Sequence, residues 1–154
     1  GLALQELNEH QEALDAFSKA TTLSGNVHEA WNYKGYVFEE IGKQQEALDA
    51  YDKAIQIKPD FVIAFNNKGL LQDTMGNHLE AIETYNKALT IKPDLDIAWF
   101  NKACAEALLS NKEGALSSLK KAIELNQSFK RIARTNPDFS KIKDDPDFIN
   151  VVGN

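Results

Sequence analysis

The string EALDAF at Glu12–Phe17 recurs as EALDAY at Glu46–Tyr51 and as EAIETY at Glu80–Tyr85, with a weaker copy, GALSSL, at Gly114–Leu119. Each copy stands 34 residues after the last. Other columns keep the same step: Ala13, Ala47, Ala81 and Ala115; Lys19, Lys53, Lys87 and Lys121; Ala20, Ala54, Ala88 and Ala122. A fixed period confines the chain to a repeat architecture. Each unit is one small motif that cannot bury its apolar face alone, so neighbours must stack.

The unit divides into two helical stretches. The segment Asp60 to Met75 follows Pro59, with Asp60 placed to cap it, and Gly76 ends it because glycine takes positive φ without a Cβ clash. Asn77 is placed to cap the second stretch, with Glu80 three residues on as capping-box partner. Leu79, Ala81, Ile82, Tyr85, Ala88 and Leu89 then recur at three to four residues, the spacing of one helix face. Pro93 lacks an N–H and restrains Lys92 from helical geometry, closing the unit. The alanine columns let helix axes approach closely. The column Phe17, Tyr51, Tyr85 and Leu119 fills the space between, each buried side chain contributing about 1.5–3 kcal/mol. The expected fold class is all-α: a right-handed α-solenoid of antiparallel helix pairs with a groove.

These residues resemble the tetratricopeptide repeat, whose pattern runs W-x2-L-G-x2-Y, A-x3-F, an alanine and a proline. Trp31, Gly35, Phe38, Ala47, Tyr51, Ala54 and Pro59 match in one unit, and Phe65, Gly69, Ala81, Tyr85, Ala88 and Pro93 in the next. A further unit keeps Trp99, Ala103, Ala115, Leu119 and Ala122 but has Gln127 at the proline. In the first, Gly1 falls at the motif's glycine, followed by Ala13, Phe17 and Ala20. The division is a partial repeat at 1–27, repeats at 28–61, 62–95 and 96–129, and a C-terminal cap at 130–154. The cap should carry two short helices, one around Phe129–Arg134 ended by Asn136-Pro137 and one starting at Pro146 after Asp145. Phe139, Ile142, Phe148, Ile149 and Val152 are its apolar residues, and it resembles the closing segment of some prokaryotic repeat proteins. The chain begins at Gly1 and its only methionine is Met75, so it reads as a fragment of a longer chain.

Two columns depart from the pattern. Lys34, Lys68 and Lys102 stand where it has Leu, and their aliphatic stems can cover apolar surface while the charge stays wet. Gln72 and Glu106 stand where it has Tyr, which suggests looser or more hydrated packing around Glu106.

The resemblance implies a protein-binding scaffold whose groove is lined by the first helix of each unit. By register that gives Gln5 and Glu6; then Glu29, Asn32, Tyr36, Glu39 and Glu40; then Ile63, Asn66, Leu70 and Asp73; then Ile97, Phe100 and Cys104. These grade from acidic and amide-rich to apolar. The implied partner is a peptide with a basic end and an apolar end, with the amides of Asn32 and Asn66 able to hold its backbone. Some family members clamp a chaperone's C-terminal carboxylate with Lys and Arg. Here Ile63 and Asn67, and Ile97 and Asn101, stand at the last basic pair, which speaks against that role.

Other function classes fare worse. His10 and His78 occupy equivalent columns at the start of second helices, no His pair has i,i+4 metal spacing, and no P-loop or dinucleotide glycine motif occurs. No enzyme, cofactor or metal is expected. Residues 1–109 carry 9 Lys/Arg against 17 Asp/Glu, and an acidic body does not attract phosphate backbones. Residues 110–143 reverse the balance, with 8 Lys/Arg against 3 Asp/Glu, so the alternative to a peptide scaffold is self-association between an acidic and a basic end. No apolar run reaches the roughly 18–20 residues of a membrane helix, and the lone Cys104 forms no internal disulfide. Both agree with a cytoplasmic assignment by default.

Overall fold

The computed structural model describes residues 2–23 and 27–153, with side chains from Glu9 onward. Among them every regular element is helical: α1 (Leu2–Leu23), α2 (His28–Glu40), α3 (Gln44–Ile57), α4 (Val62–Thr74), α5 (His78–Ile91), α6 (Asp96–Leu108), α7 (Lys112–Leu125), α8 (Phe129–Thr135), a 3-10 turn at Pro137–Phe139 and α9 (Pro146–Val152). This is an all-α helical repeat. No helix among the described residues is long and apolar enough to cross a membrane. The chain forms two compact units, residues 1–71 and 72–154, divided within α4. The first holds α1 and the hairpin of α2 and α3. The second holds α5, the hairpin of α6 and α7, and the C-terminal segment.

The turns inside the hairpins follow one design. Gly42, Gly76 and Ser110, spaced by 34, have φ of 75°, 84° and 62°. In each turn two successive N–H groups fold back onto the helix end: Gly42 to Glu39 and Lys43 to Phe38, Gly76 to Asp73 and Asn77 to Gln72, Ser110 to Ala107 and Asn111 to Glu106. That satisfies carbonyls the helix leaves open. No such turn interrupts α1, which runs through Asn8, the residue 34 before Gly42. Two expected caps differ. α4 starts at Val62, past Asp60, because Phe61 N–H donates to Lys58 O and closes a turn first. Asn77 does precede α5, but its side chain makes no capping bond, and Glu80 accepts from Gln72 Nε2 (3.4 Å) instead of reaching back. In α7 the cap is real: Asn111 Oδ1 accepts from Gly114 N at 3.1 Å.

Helix contact rests on the small-residue columns. Ala47, Ala54, Ala81, Ala88, Ala115 and Ala122 are fully buried, as are Tyr51, Tyr85 and Leu119. At Gly35 a Cβ would stand 2.6 Å from Tyr51 Cε1, so the absence of a side chain there admits the ring. The tyrosines end differently. Tyr51 OH donates to Glu39 Oε2 at 3.0 Å. Tyr85 OH is buried with no partner among the described residues, because Asp73, the equivalent of Glu39, is one methylene shorter and bonds His78 Nδ1.

The two departing columns are accommodated. Lys34 Nζ lies 5.0 Å from the Trp31 ring and 5.7 Å from Phe38, and Lys102 Nζ lies 5.3 Å from Trp99. Lys68 pairs with Asp52. The expectation of loose, hydrated packing at Glu106 does not hold. Its residue is 6% exposed, and Ser118 Oγ donates to Glu106 Oε2 at 2.7 Å. Gln72 Oε1 likewise accepts from Thr84 Oγ1 at 2.7 Å. Each polar residue in the aromatic column thus faces a hydroxyl twelve positions on, where the unit with Phe38 has Ala50. Gly114 helps, since a Cβ there would come within 3.0 Å of the Glu106 carboxyl carbon.

Two predictions follow from the buried polar groups. Tyr51→Phe strips a bond to a carboxylate and should cost about 1.5–3 kcal/mol, whereas Tyr85→Phe removes an orphan hydroxyl and should be neutral or stabilising. Paired urea titrations read the difference. Burial raises the Glu106 carboxyl, opposed by the Ser118 bond and by Lys102. A raised folded-state value means its stability contribution is full below the unfolded value of 4.5 and falls as pH rises through the folded one. Glu106→Gln should therefore gain stability relative to wild type as pH rises above 4.5, read from urea unfolding midpoints over a pH series.

Candidate functional site

Residues 1–71 carry an open cleft on one face of α2. Glu29, Tyr33, Tyr36 and Glu40 follow each other at four, three and four residues, so they line one side of the helix. Glu29 sits in the first turn, where the helix dipole favours a carboxylate. The cleft has a volume of about 500 Å³ and is lined by Glu29, Asn32, Tyr33 and Tyr36 of α2, by Phe61, and by Ile63 and Asn67 of α4. That is within the range of preformed ligand sites.

Its walls are held by side-chain contacts. Asn67 Nδ2 donates to Asn32 Oδ1 at 3.1 Å, which links α4 to α2. The Tyr33 ring stacks on Phe17 of α1, with centroids 5.5 Å apart and planes 13° apart. Phe61 lies edge-on to His28 at 4.6 Å, and Lys58 Nζ stands 5.7 Å from the Phe61 ring. Tyr33, Tyr36 and Ile63 remain 55%, 51% and 52% exposed, an apolar surface open to solvent. Glu39 is half-buried and bonded to Tyr51. Burial raises its carboxyl, the Tyr51 bond lowers it, and neighbouring Glu40 raises it again.

Of the residues expected from register, Glu29, Asn32, Tyr36 and Ile63 come together in this cleft. Glu40 is exposed at the other end of the same helix, while on α4 Asn66 is half-buried and Leu70 exposed. Asn32 is 7% exposed and already engaged by Asn67. The side chains of Gln5 and Glu6 lie outside the described residues. Tyr33 and Phe61 line the cleft without having been expected there, and Asn67, read from sequence only as standing at a clamp position, lines it too. Their signal was the columns Tyr33, Asn67 and Asn101, and Val27, Phe61 and Leu95.

Residues 72–154 present a different picture. Asp73 pairs with His78; burial raises its carboxyl and the His78 bond opposes that. Ile97 is exposed. Phe100 and Cys104, expected in an open groove, are each 5% exposed because the C-terminal segment covers them. Phe100 stacks on Phe129 (4.5 Å, 15°) and meets Phe139 edge-on at 6.0 Å. Phe139 in turn packs on Phe148 at 5.4 Å. Asn136 Nδ2 donates to Cys104 Sγ at 3.5 Å, and burial with Asp138 nearby pushes the thiol well up. Polar ties hold the segment down. Lys141 Nζ donates to Leu108 O and Ser110 Oγ, both at 3.1 Å. Lys112 Nζ bridges Asp145 (2.9 Å) and Asp147 (3.3 Å), and Arg134 Nη2 donates to Val152 O at 2.7 Å. Asp145 caps α9 through Asp147 N at 2.9 Å, as its sequence position suggested.

Family models described as tetratricopeptide repeat match residues 28–61 and 62–95, and a further one matches residues 97–129. Among solved structures, MamA is similar at 28% identity and a TM-score of 0.73, over 82% of this chain and 74% of that one. MamA from Desulfovibrio magneticus RS-1, residue 41 to its end, has 18% identity and a TM-score of 0.76, covering 97% and 85%. The first TPR of Spaghetti, bound to the HSP90 peptide SRMEEVD, has 19% identity and a TM-score of 0.64, covering 75% and 86%. The last two are likenesses of fold alone. No curated protein matches.

If Phe139 is what seals α6, Phe139→Ala should cost about 3–5 kcal/mol. It should also make Cys104 react faster with a thiol reagent under native conditions. An unchanged reaction rate would show that Phe139 does not shield it.

Proposed function

Because the chain belongs to the tetratricopeptide-repeat family, we propose that it is a protein–protein interaction scaffold that takes a peptide segment in the cleft between α2 and α4 and performs no catalysis. The observation that carries this reading is the cleft itself: two half-exposed tyrosines and Ile63 stand around an amide pair whose geometry is already set. Rigid aromatic side chains supply contact area at low entropic cost and dominate many interfaces. A solved neighbour with this fold holds a peptide, which supports the same use here.

Two of the three histidines and the cysteine have structural contacts. His78 pairs with Asp73, His28 packs on Phe61, and the Cys104 thiol is buried and held protonated. The site also differs from a carboxylate clamp. Ile63 and Asn67 stand where the chaperone-binding members have basic residues, and no Lys or Arg lines the cleft among the described residues.

Selection of random twelve-residue displayed peptides on the immobilised protein tests the reading. Binders should lose at least about thirtyfold affinity on Tyr36→Ala, the scale of a central aromatic anchor. Tyr36 is half exposed, so the variant should keep its fold by circular dichroism. Failure to recover any binder, or binders indifferent to Tyr36→Ala, would sink the cleft as the site.

A further inference from the structure

We propose that the cleft selects a peptide segment carrying a lysine or arginine, whose cation sits over the Tyr36 ring and pairs with Glu29 or Glu40, beside an aliphatic side chain set against Ile63. This rests on the peptide-binding reading above and specifies its ligand.

Charge is the first support. The α2 face runs Glu29, Tyr33, Tyr36, Glu40, so an exposed carboxylate stands at each end of a tyrosine pair, with one oxygen of Glu29 also 2.9 Å from His28 Nε2. Residues 1–71 hold 6 Lys and no Arg against 11 Asp/Glu. An acidic segment would meet like charge at both ends of this face, and a cationic one would be drawn to it.

The second support is that four other aromatic rings of the chain carry a lysine ammonium within 5.7 Å of the ring centroid. Trp31 and Phe38 on α2 share the Lys34 ammonium, Phe61 has Lys58, and Trp99 has Lys102. Among the described residues, no lysine or arginine lies over Tyr33 or Tyr36. Of the three rings that line the cleft, Phe61 has the Lys58 ammonium, and the two tyrosines, both half exposed, have no such cation among the described residues. A cation within about 6 Å of such a ring is attracted by its negative face, more so when partly desolvated.

The third is the opposite wall. Ile63 is 52% exposed and Phe61 half-buried, which gives an apolar surface across from the charged helix. A cationic residue next to an aliphatic one satisfies both walls. Asn67, half-buried at the lining and tied by its Nδ2 to Asn32 at 3.1 Å, offers an amide oxygen that can accept from the peptide backbone.

The test uses the peptides selected on Tyr36. Lys and Arg should be enriched over Asp and Glu among cleft-dependent binders by about fivefold or more, the scale of one exposed charge contact. In a synthetic binder, Lys→Gln or Arg→Gln should weaken affinity about tenfold, and raising salt should weaken it further. The variant Glu29→Gln with Glu40→Gln should weaken the cationic peptide about fivefold and leave its Gln counterpart unchanged. Tyr36→Phe should retain binding, since the ring face is kept, and Tyr36→Leu should lose it. Should binders prove Tyr36-dependent yet free of Lys and Arg, or should the Gln peptide bind equally well, the cationic assignment is overturned while the cleft stands. Should no binder depend on Tyr36, the cleft reading fails and takes this assignment with it.

Discussion

Close approach of helices is the constraint on which the structure depends. Six alanines from two 34-residue columns are fully buried, and the Gly35 position has no room for a methyl beside Tyr51. Small residues bring backbones together; a large ring then fills the space they leave. Neither half of that arrangement is stable without the other, because an unfilled gap forfeits dispersion contacts and an extra methyl overpacks. The repeat is therefore a pairing of small and large positions at fixed spacing.

That pairing extends to polar residues. Where the aromatic column carries Gln72 or Glu106, the facing position carries Thr84 or Ser118, and both hydroxyls bond across at 2.7 Å. A buried polar group is tolerated when its partner is buried with it. The exception is Tyr85, whose hydroxyl has no partner among the described residues while Asp73 is bonded to His78. Exchange of one side chain in a column thus changes its neighbours in the fold.

The C-terminal segment decides which register positions of α6 stay exposed. α6 has the register of a groove helix, yet Phe100 and Cys104 lie beneath Phe129, Phe139 and Asn136. The segment's own aromatics need burial, and the apolar face of α6 provides it. The apolar anchor position expected at Phe100 is covered, and the proposed site, the cleft of α2 and α4, stays open to solvent.

The 34-residue period, the helix–turn–helix unit, the turn at Gly76 and the two short closing helices were determined by sequence alone. They follow from local chemistry: spacing of apolar residues, positive φ at a glycine, and the stops imposed by Pro93 and Pro137. The groove residues were legible only as register. Sequence placed Glu29, Asn32, Tyr36, Ile63, Phe100 and Cys104 in equivalent columns, but it took tertiary structure to leave Glu29, Tyr36 and Ile63 exposed around a cleft, to tie the nearly buried Asn32 to Asn67, and to bury Phe100 and Cys104. Exposure depends on what else packs there, and the cap is distant in sequence and breaks the period. The same holds for Glu106, whose acceptability was decided by Ser118 and the space at Gly114. Periodicity fixes which side of a helix a residue is on; only packing decides whether that side meets solvent.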